Sequence, residues 1–312
     1  MENDNILNQV IENFNINVLE NETKEKEISP IHLKDTVKIY SGDAISENDI
    51  NVHFSRDFIK LIVLAGLPSH GKTTLISSIY DKFIQDGEYE DYEFVASKTI
   101  LGFEKRCYLS RLKNGQTANT KRTILGEDHP YLDLLLFNKR NLIKQRVIFV
   151  DTSGEVFKKF QIENQSIRDF HSLSRANHFS YIFDISQYND SEKRHLSKDS
   201  AKTIIRSIKD QNMFSPNIKI EIVFTKWDKI SDNLALQKYK KSIVDEVKEI
   251  FPTLTVKDFN VNSISDASPF KLKDLFNYWM NTYCIHEYSK ELESIKINWG
   301  KEYYKYLDND EQ

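Results

Sequence analysis

The chain has 312 residues, 39% of them apolar, which is enough for a sizeable core and suits one large α/β domain with extensions or two small domains. A formal net charge of −4 and a pI near 6.1 exclude the global basic field that gathers nucleic acid or anionic membranes, so no direct nucleic-acid partner is expected. The longest apolar run, around Phe58 to Ala65, falls far short of the ~20 residues that span a bilayer; with a polar start at Met1-Glu2-Asn3-Asp4-Asn5 and two cysteines, Cys107 and Cys284, in no metal spacing, it sets the expectation of a soluble, cytoplasmic protein with reduced thiols.

In chain order, residues 1–30 form a first arm. Ile6, Leu7, Val10, Ile11 and Phe14 recur at helical spacing and suit either a short amphipathic helix that docks on a partner or a polar tail. Asn21 to Glu27 is a charged linker closed by Ser29-Pro30. Residues 31–57 are a lead-in with one or two short strands and a turn at Ser41-Gly42-Asp43. From 58 to 285 strands and helices alternate. The expected strands are 59–65, 131–138, 146–150, 180–185, 219–225 and 258–262; the expected helices are 72–85, 155–174, 197–211, 234–250 and 270–284. Such alternation points to a mostly parallel, doubly wound sheet covered on both faces. The strand at 131–138 is expected as an antiparallel edge paired with 146–150. The connection 86–130 is long, and Thr99 to Leu112 within it should add a strand or helix. In the tail, 286–312, Tyr288, Leu292, Ile295, Trp299, Tyr303 and Tyr306 continue a stripe from Ile285 that either packs back on the domain or binds a partner. No internal repeat is found.

Three motifs lie in this frame. Gly66-Leu67-Pro68-Ser69-His70-Gly71-Lys72-Thr73 follows the apolar run Leu61 to Ala65 and precedes a helical stretch, the strand–loop–helix context that a phosphate-binding loop requires. Backbone N–H groups along Gly66, Ser69, His70, Gly71, Lys72, Thr73 and Thr74 would face a polyphosphate at the helix N-terminus. Lys72 would reach the β- and γ-phosphates and the Thr73 hydroxyl would hold Mg²⁺. The bland alternative is a strand-to-helix turn without a ligand. Asp151-Thr152-Ser153-Gly154 follows Val147 to Val150. An aspartate at a strand exit can hold Mg²⁺ through a water, and Gly154 can offer its N–H to a γ-phosphate; the alternative is a turn with an acidic start. Thr225-Lys226-Trp227-Asp228 follows Ile220 to Phe224. The Asp228 carboxylate matches the adjacent N1–H and N2–H₂ donors of guanine and mismatches adenine, while the Lys226 stem can lie over the base.

Taken together and in this order, the three motifs resemble those of TRAFAC-class, translation-factor-like P-loop GTPases, with Thr225 where such proteins most often carry Asn. The resemblance implies GTP or GDP with Mg²⁺ as ligands and a Ras-like α/β fold with an enlarged switch I region and N- and C-terminal extensions. Within the class, elongation factors usually read Asp-Cys-Pro-Gly-His where this chain has Asp-Thr-Ser-Gly-Glu, and no barrel-like region follows. The chain is more similar to bacterial double-GTPase-type proteins encoded in conflict or antiphage systems. The carrying residues are Gly71 to Leu75, Ser97 to Cys107, Arg122-Thr123 and Asp151 to Glu155, within 58–285. This likeness implies a regulatory NTPase beside a second GTPase-like or effector protein.

Four further assignments complete the expected site. Ser263 or Ile264, after Phe259 to Asn262, would contact the guanine carbonyl oxygen, unless the segment is a plain strand-end turn. Thr123, with Thr99 and Thr120 as alternatives, would complete the Mg²⁺ shell when a γ-phosphate is present. Arg122 would supply positive charge in cis, or else belong to a solvated Lys121-Arg122 pair. Glu155, where many such GTPases have Gln, would position the attacking water while placing negative charge near the γ-phosphate. Pro68 departs from the glycine usual in Ras-like loops. The function read from these residues is a GTP-hydrolysing switch; the alternative is a non-hydrolysing GTP- or GDP-binding assembly subunit.

Overall fold

The computed structural model describes residues 42–46, 50, 59–111 (without the side chains of 108–111), 131–262 and 272–281. All of these fall in one compact unit that begins at Ser41. The amphipathic arm at 1–30, the charged linker, the C-terminal stripe, Arg122, Thr123, Thr120, Ser263 and Ile264 lie outside the described residues.

The organising strand is β1 (Ile59–Ala65), buried along its whole length. A strand covered on both faces needs a continuous apolar run rather than alternation, and Leu61-Ile62-Val63-Leu64-Ala65 supplies it. Helix α1 (Lys72–Asp86) follows and buries Leu75, Ile76, Ile79, Tyr80 and Phe83 at helical spacing. A hairpin of β2 (Glu88–Tyr89) and β3 (Tyr92–Ala96) leads to α2 (Ile100–Arg111). Then come β4 (Tyr131–Asn138) and β5 (Ile143–Val150), and three short helices α3 (Gly154–Lys159), α4 (Asn164–Arg168) and α5 (Ser172–Arg175). The rest alternates: β6 (His178–Asp184), α6 (Ser191–Asp210), β7 (Lys219–Thr225), α7 (Leu234–Ile250), β8 (Thr255–Asn260) and α8 (Leu272–Asn281).

Among the described residues these strands form one eight-stranded sheet ordered β2-β3-β4-β5-β1-β6-β7-β8. From β5 to β8 every pairing is parallel; β2, β3 and β4 join antiparallel. The sheet separates two apolar layers. Leu61, Val63 and Ala65 face one built on α6, α7 and the short helices; Ile62 and Leu64 face the other, built on α1, α2 and α8. This is the doubly wound α/β sheet that the alternation implies.

Three expectations need correction. The strand at 131–138 does pair antiparallel with β5, but it is not an edge, because β3 pairs along its other side. The expected helix at 155–174 is broken into α3, α4 and α5. Phe157, Phe160, Ile167, Phe170 and Leu173 are all fully buried; on one straight helix they would spread around more than half its circumference. Bending the chain brings Phe157, Phe160 and Phe170 into mutual ring contact at 5.3–6.0 Å. Third, Thr99, one of the alternatives to Thr123, is engaged within the fold. Its fully buried hydroxyl accepts the Asp133 N–H at 2.8 Å, and with Lys98 N donating to Asp133 Oδ2 at 3.0 Å it fastens the start of α2 to β4. Of the lead-in, Ile45 makes an isolated antiparallel bridge to Tyr131.

A buried polar chain fixes α8. Glu221 accepts from Ser180 Oγ at 2.7 Å and lies 2.7 Å from His178 Nδ1; Trp279 Nε1 donates to Ser180 Oγ at 3.1 Å. Lys60 Nζ donates to the Trp279 and Met280 carbonyls at 2.5 and 2.8 Å, placing a cation on the last turn of α8. Burial raises the Glu221 carboxyl above its ordinary value.

Candidate functional site

The three motifs converge where β1, β5, β6 and β7 end, outside the carboxyl edge of the parallel strands, the usual crevice of open α/β sheets. The loop after β1 turns at Gly66, whose φ of 141° suits glycine and whose missing Cβ would lie 2.6 Å from the Ile182 carbonyl oxygen. Lys72 sits on the first turn of α1 with its ammonium folded into the loop, donating to the carbonyls of Gly66 at 2.8 Å and Leu67 at 3.1 Å. Burial lowers its pKa to about 8, opposed by the nearby Asp151 and Glu155 carboxylates. An arriving polyphosphate would replace weak carbonyl partners with full negative charge.

The first two motifs meet directly. Thr73 Oγ1 donates to Asp151 Oδ1 at 2.9 Å, across 78 residues of sequence. Asp151 is fully buried. One hydroxyl and one carboxylate are donors of the kind that would hold Mg²⁺ beside substrate phosphates. Arg106 of α2 also reaches this corner, its Nε donating to Asp151 Oδ2 at 2.7 Å.

Gly154 opens α3, with Ser153 as its N-cap. A Cβ on Gly154 would lie 2.3 Å from Pro68 N and 2.5 Å from the Leu67 carbonyl carbon, so the second motif rests flat on the phosphate loop. Glu155 follows on the first helical turn, 29% exposed, with Oε2 3.2 Å from Lys158 Nζ.

The third motif braces the loop from the other side. Thr225 Oγ1 approaches the carbonyls of His70 at 2.8 Å and Phe183 at 3.0 Å. A hydroxyl therefore joins the phosphate loop to the end of β6, which explains how Thr can stand where Asn is usual. Lys226, at a left-handed φ of 60°, bonds with Nζ to the Ser69 carbonyl at 2.8 Å and Asp184 Oδ2 at 2.5 Å. Its stem is thus pinned between loop and strand end. Asp228 stands exposed on the 3-10 turn Trp227–Lys229, while Trp227 is buried as its anchor.

The His70 ring is turned away from the loop mouth, with Nδ1 3.0 Å from the Ile182 carbonyl oxygen. Burial pushes it down from 6.5 to about 4. Between these values the unfolded chain binds a proton that the folded chain does not, so stability rises with pH through that window. Acidification from above pH 7 to pH 5 should therefore cost about 2 kcal/mol through this residue. Urea denaturation at the two pH values, compared with His70→Gln, checks it: the substitution should remove that component.

Two residues of this site have no role assigned by the motifs. Arg106 lies in the Ser97–Cys107 segment that carries the family likeness, but its place at Asp151 depends on how α2 packs, and Asp184 ends β6 without a recognisable pattern.

The model of the Double-GTPase 2 family matches residues 60–280. The chain belongs to the Double-GTPase 2 family. The likeness to double-GTPase-type proteins drawn from the motifs is borne out, and with the phosphate loop and sheet order the fold is that of a Ras-like P-loop GTPase. Among solved structures, similarity is found to the signal recognition particle receptor SRb-GTP/SRX complex from Chaetomium thermophilum, with 14% identity, 70% of this chain and 96% of that chain covered, and a TM-score of 0.43. Translation elongation factor SelB from Methanococcus maripaludis, in complex with the GTP analogue GppNHp, gives 14% identity, 73% and 35% coverage, and a TM-score of 0.40. Among curated proteins none matches. Family membership supports guanine nucleotide as the ligand. Among the described residues no helix is long and apolar enough to cross a membrane.

Proposed function

We propose that the chain is a Mg²⁺-dependent switch that hydrolyses GTP to GDP and phosphate. The observation that carries this reading is the 2.9 Å contact between Thr73 and Asp151 beside the buried Lys72 ammonium. Lys72 and the loop N–H groups would hold the phosphates, Thr73 and Asp151 the metal, Gly154 the γ-phosphate, and Asp228 the base. Bound Mg²⁺ would neutralise charge on the phosphates. Thr123, Arg122, Ser263 and Ile264 keep their assigned roles as proposals, carried by sequence position alone.

Glu155 is proposed to accept or orient the attacking water. Single-turnover hydrolysis with Glu155→Ala tests it. The rate should fall at least about a hundredfold, the low end of the general-base range, with GDP affinity unchanged; an equal rate removes the role.

The second reading, a binding subunit that holds nucleotide without turnover, is favoured by the Lys158 ammonium beside Glu155, which competes for the carboxylate. Wild type that binds GTP and releases no phosphate in the same assay would select it.

The motif likeness supports a cytoplasmic role next to a second GTPase-like or effector protein in a bacterial conflict or antiphage system. Co-purification with the products of neighbouring genes, before and after deletion of 285–312, tests both that role and the C-terminal stripe as a docking arm.

A further inference from the structure

The magnesium corner contains a cation that the proposed reaction does not use. Asp151 divides its two oxygens: Oδ1 takes the Thr73 hydroxyl, and Oδ2 takes Arg106 Nε at 2.7 Å. The arginine is no loose surface group. Its side chain is 11% exposed, that of Asp151 is wholly buried, and its Nη1 donates to the Gly102 carbonyl at 2.9 Å on its own helix. α2 itself is held in place. Phe103 stacks on Tyr80 of α1 with ring centroids 4.5 Å apart, Tyr80 Oη donates to Glu104 at 2.8 Å, and Lys98 and Thr99 tie the helix start to Asp133. Asp133 is in turn gripped by Arg146 at 2.6 and 2.7 Å. A rigid support therefore delivers a guanidinium, which cannot lose its charge, to the carboxylate that the proposed metal needs.

We infer that Arg106 competes with Mg²⁺ for the charge of Asp151, so that the guanidinium weakens metal binding at this corner. This rests on the proposed metal role of Thr73 and Asp151. A Mg²⁺ ion held by Thr73 would draw on the Asp151 carboxylate directly or through a bound water, and would then share that one negative charge with the guanidinium. Two cations at one buried carboxylate also repel each other in a medium that screens poorly. Arg106 thus holds the Asp151 carboxylate in place, and it raises the Mg²⁺ concentration at which the nucleotide is locked in.

The test is the dissociation rate of fluorescently labelled GDP as Mg²⁺ is titrated from chelator upward, for wild type, Arg106→Gln and Arg106→Lys. In wild type, Mg²⁺ should slow release with a defined midpoint. The Gln variant should shift that midpoint to lower Mg²⁺ by roughly tenfold or more, and the Lys variant, which keeps charge but loses the planar fork, should lie between. A Gln midpoint that is unchanged or higher overturns the inference. Faster release at every Mg²⁺ level with an unmoved midpoint also overturns it, and makes Arg106 a direct phosphate contact instead. If Arg106→Gln does not fold, Arg106→Lys decides alone: a lowered midpoint supports competition and an unmoved one overturns it. Wild type that releases GDP at the same rate with and without Mg²⁺ would overturn the metal corner itself, a failure visible without any variant.

Discussion

Asp228→Asn should convert a guanine site into a xanthine site. Asp228 stands exposed at the mouth of the site, on a turn anchored by the buried Trp227 and held to the phosphate loop through Lys226 and Thr225. Its carboxylate is acceptor-only, so it suits the paired N1–H and N2–H₂ donors of guanine. An asparagine in the same place turns one acceptor into a donor. Its amide oxygen can still take N1–H, but its NH₂ then faces another NH₂ in guanine and a carbonyl oxygen in xanthine. The charge-assisted hydrogen bond lost is worth about 1.5–3 kcal/mol, so GTP affinity should drop by roughly one to two orders of magnitude. Xanthosine triphosphate should become the preferred ligand. Titration calorimetry of both proteins with both nucleotides measures the exchange. An Asn variant that keeps its GTP affinity would place the base elsewhere.

Gly154→Ala should damage both stability and the response to the γ-phosphate. The new Cβ would meet backbone atoms, Pro68 N at 2.3 Å, the Leu67 carbonyl carbon at 2.5 Å and Pro68 Cα at 2.7 Å. None of these can swing aside as a flexible side chain can. Either the phosphate loop or the first turn of α3 must shift. Overpacking of this kind costs about 3 kcal/mol or somewhat more, a fall in Tm of roughly 6–12 °C for a domain of this size. The same shift would carry the Gly154 N–H away from its place beside the loop. GTP affinity should therefore fall at least about tenfold while GDP affinity changes less. Thermal melting and nucleotide titration read the two effects separately. A variant that melts with wild type and binds GTP as tightly would show that the close approach does not persist in solution.

Those two residues also show how far the sequence could be read. Asp228 and Gly154 belong to local patterns, each a short run at the end of an apolar strand, and strand ends are where chain direction and hydropathy change together. The parallel core was legible for the same reason: β1 and β7 are seven-residue strands rich in Ile, Leu, Val and Phe, and both lie where expected. What escaped depends on contacts between distant segments. Arg106 is one arginine among many until α2 is laid against α1 and β4. Thr99 looked like a switch residue, because nothing local reveals that its hydroxyl is committed to Asp133. The strand at 131–138 looked like an edge, because the two-residue β2 and the five-residue β3 that covers it are too short to announce themselves. The helix at 155–174 broke because five apolar side chains had to reach one sheet face, a demand set by tertiary packing.

The central claim is that the loop at Gly66–Thr73, the Asp151–Gly154 turn and the Asp228 carboxylate form one site selective for guanine. Calorimetric titration of the wild-type chain with GTP and with ATP, each in the presence of Mg²⁺, tests it most directly. GTP should bind at least about a hundredfold tighter, the difference expected when a site built to pair with a donor set meets a base that lacks it. ATP binding as tight as GTP, or tighter, would contradict it.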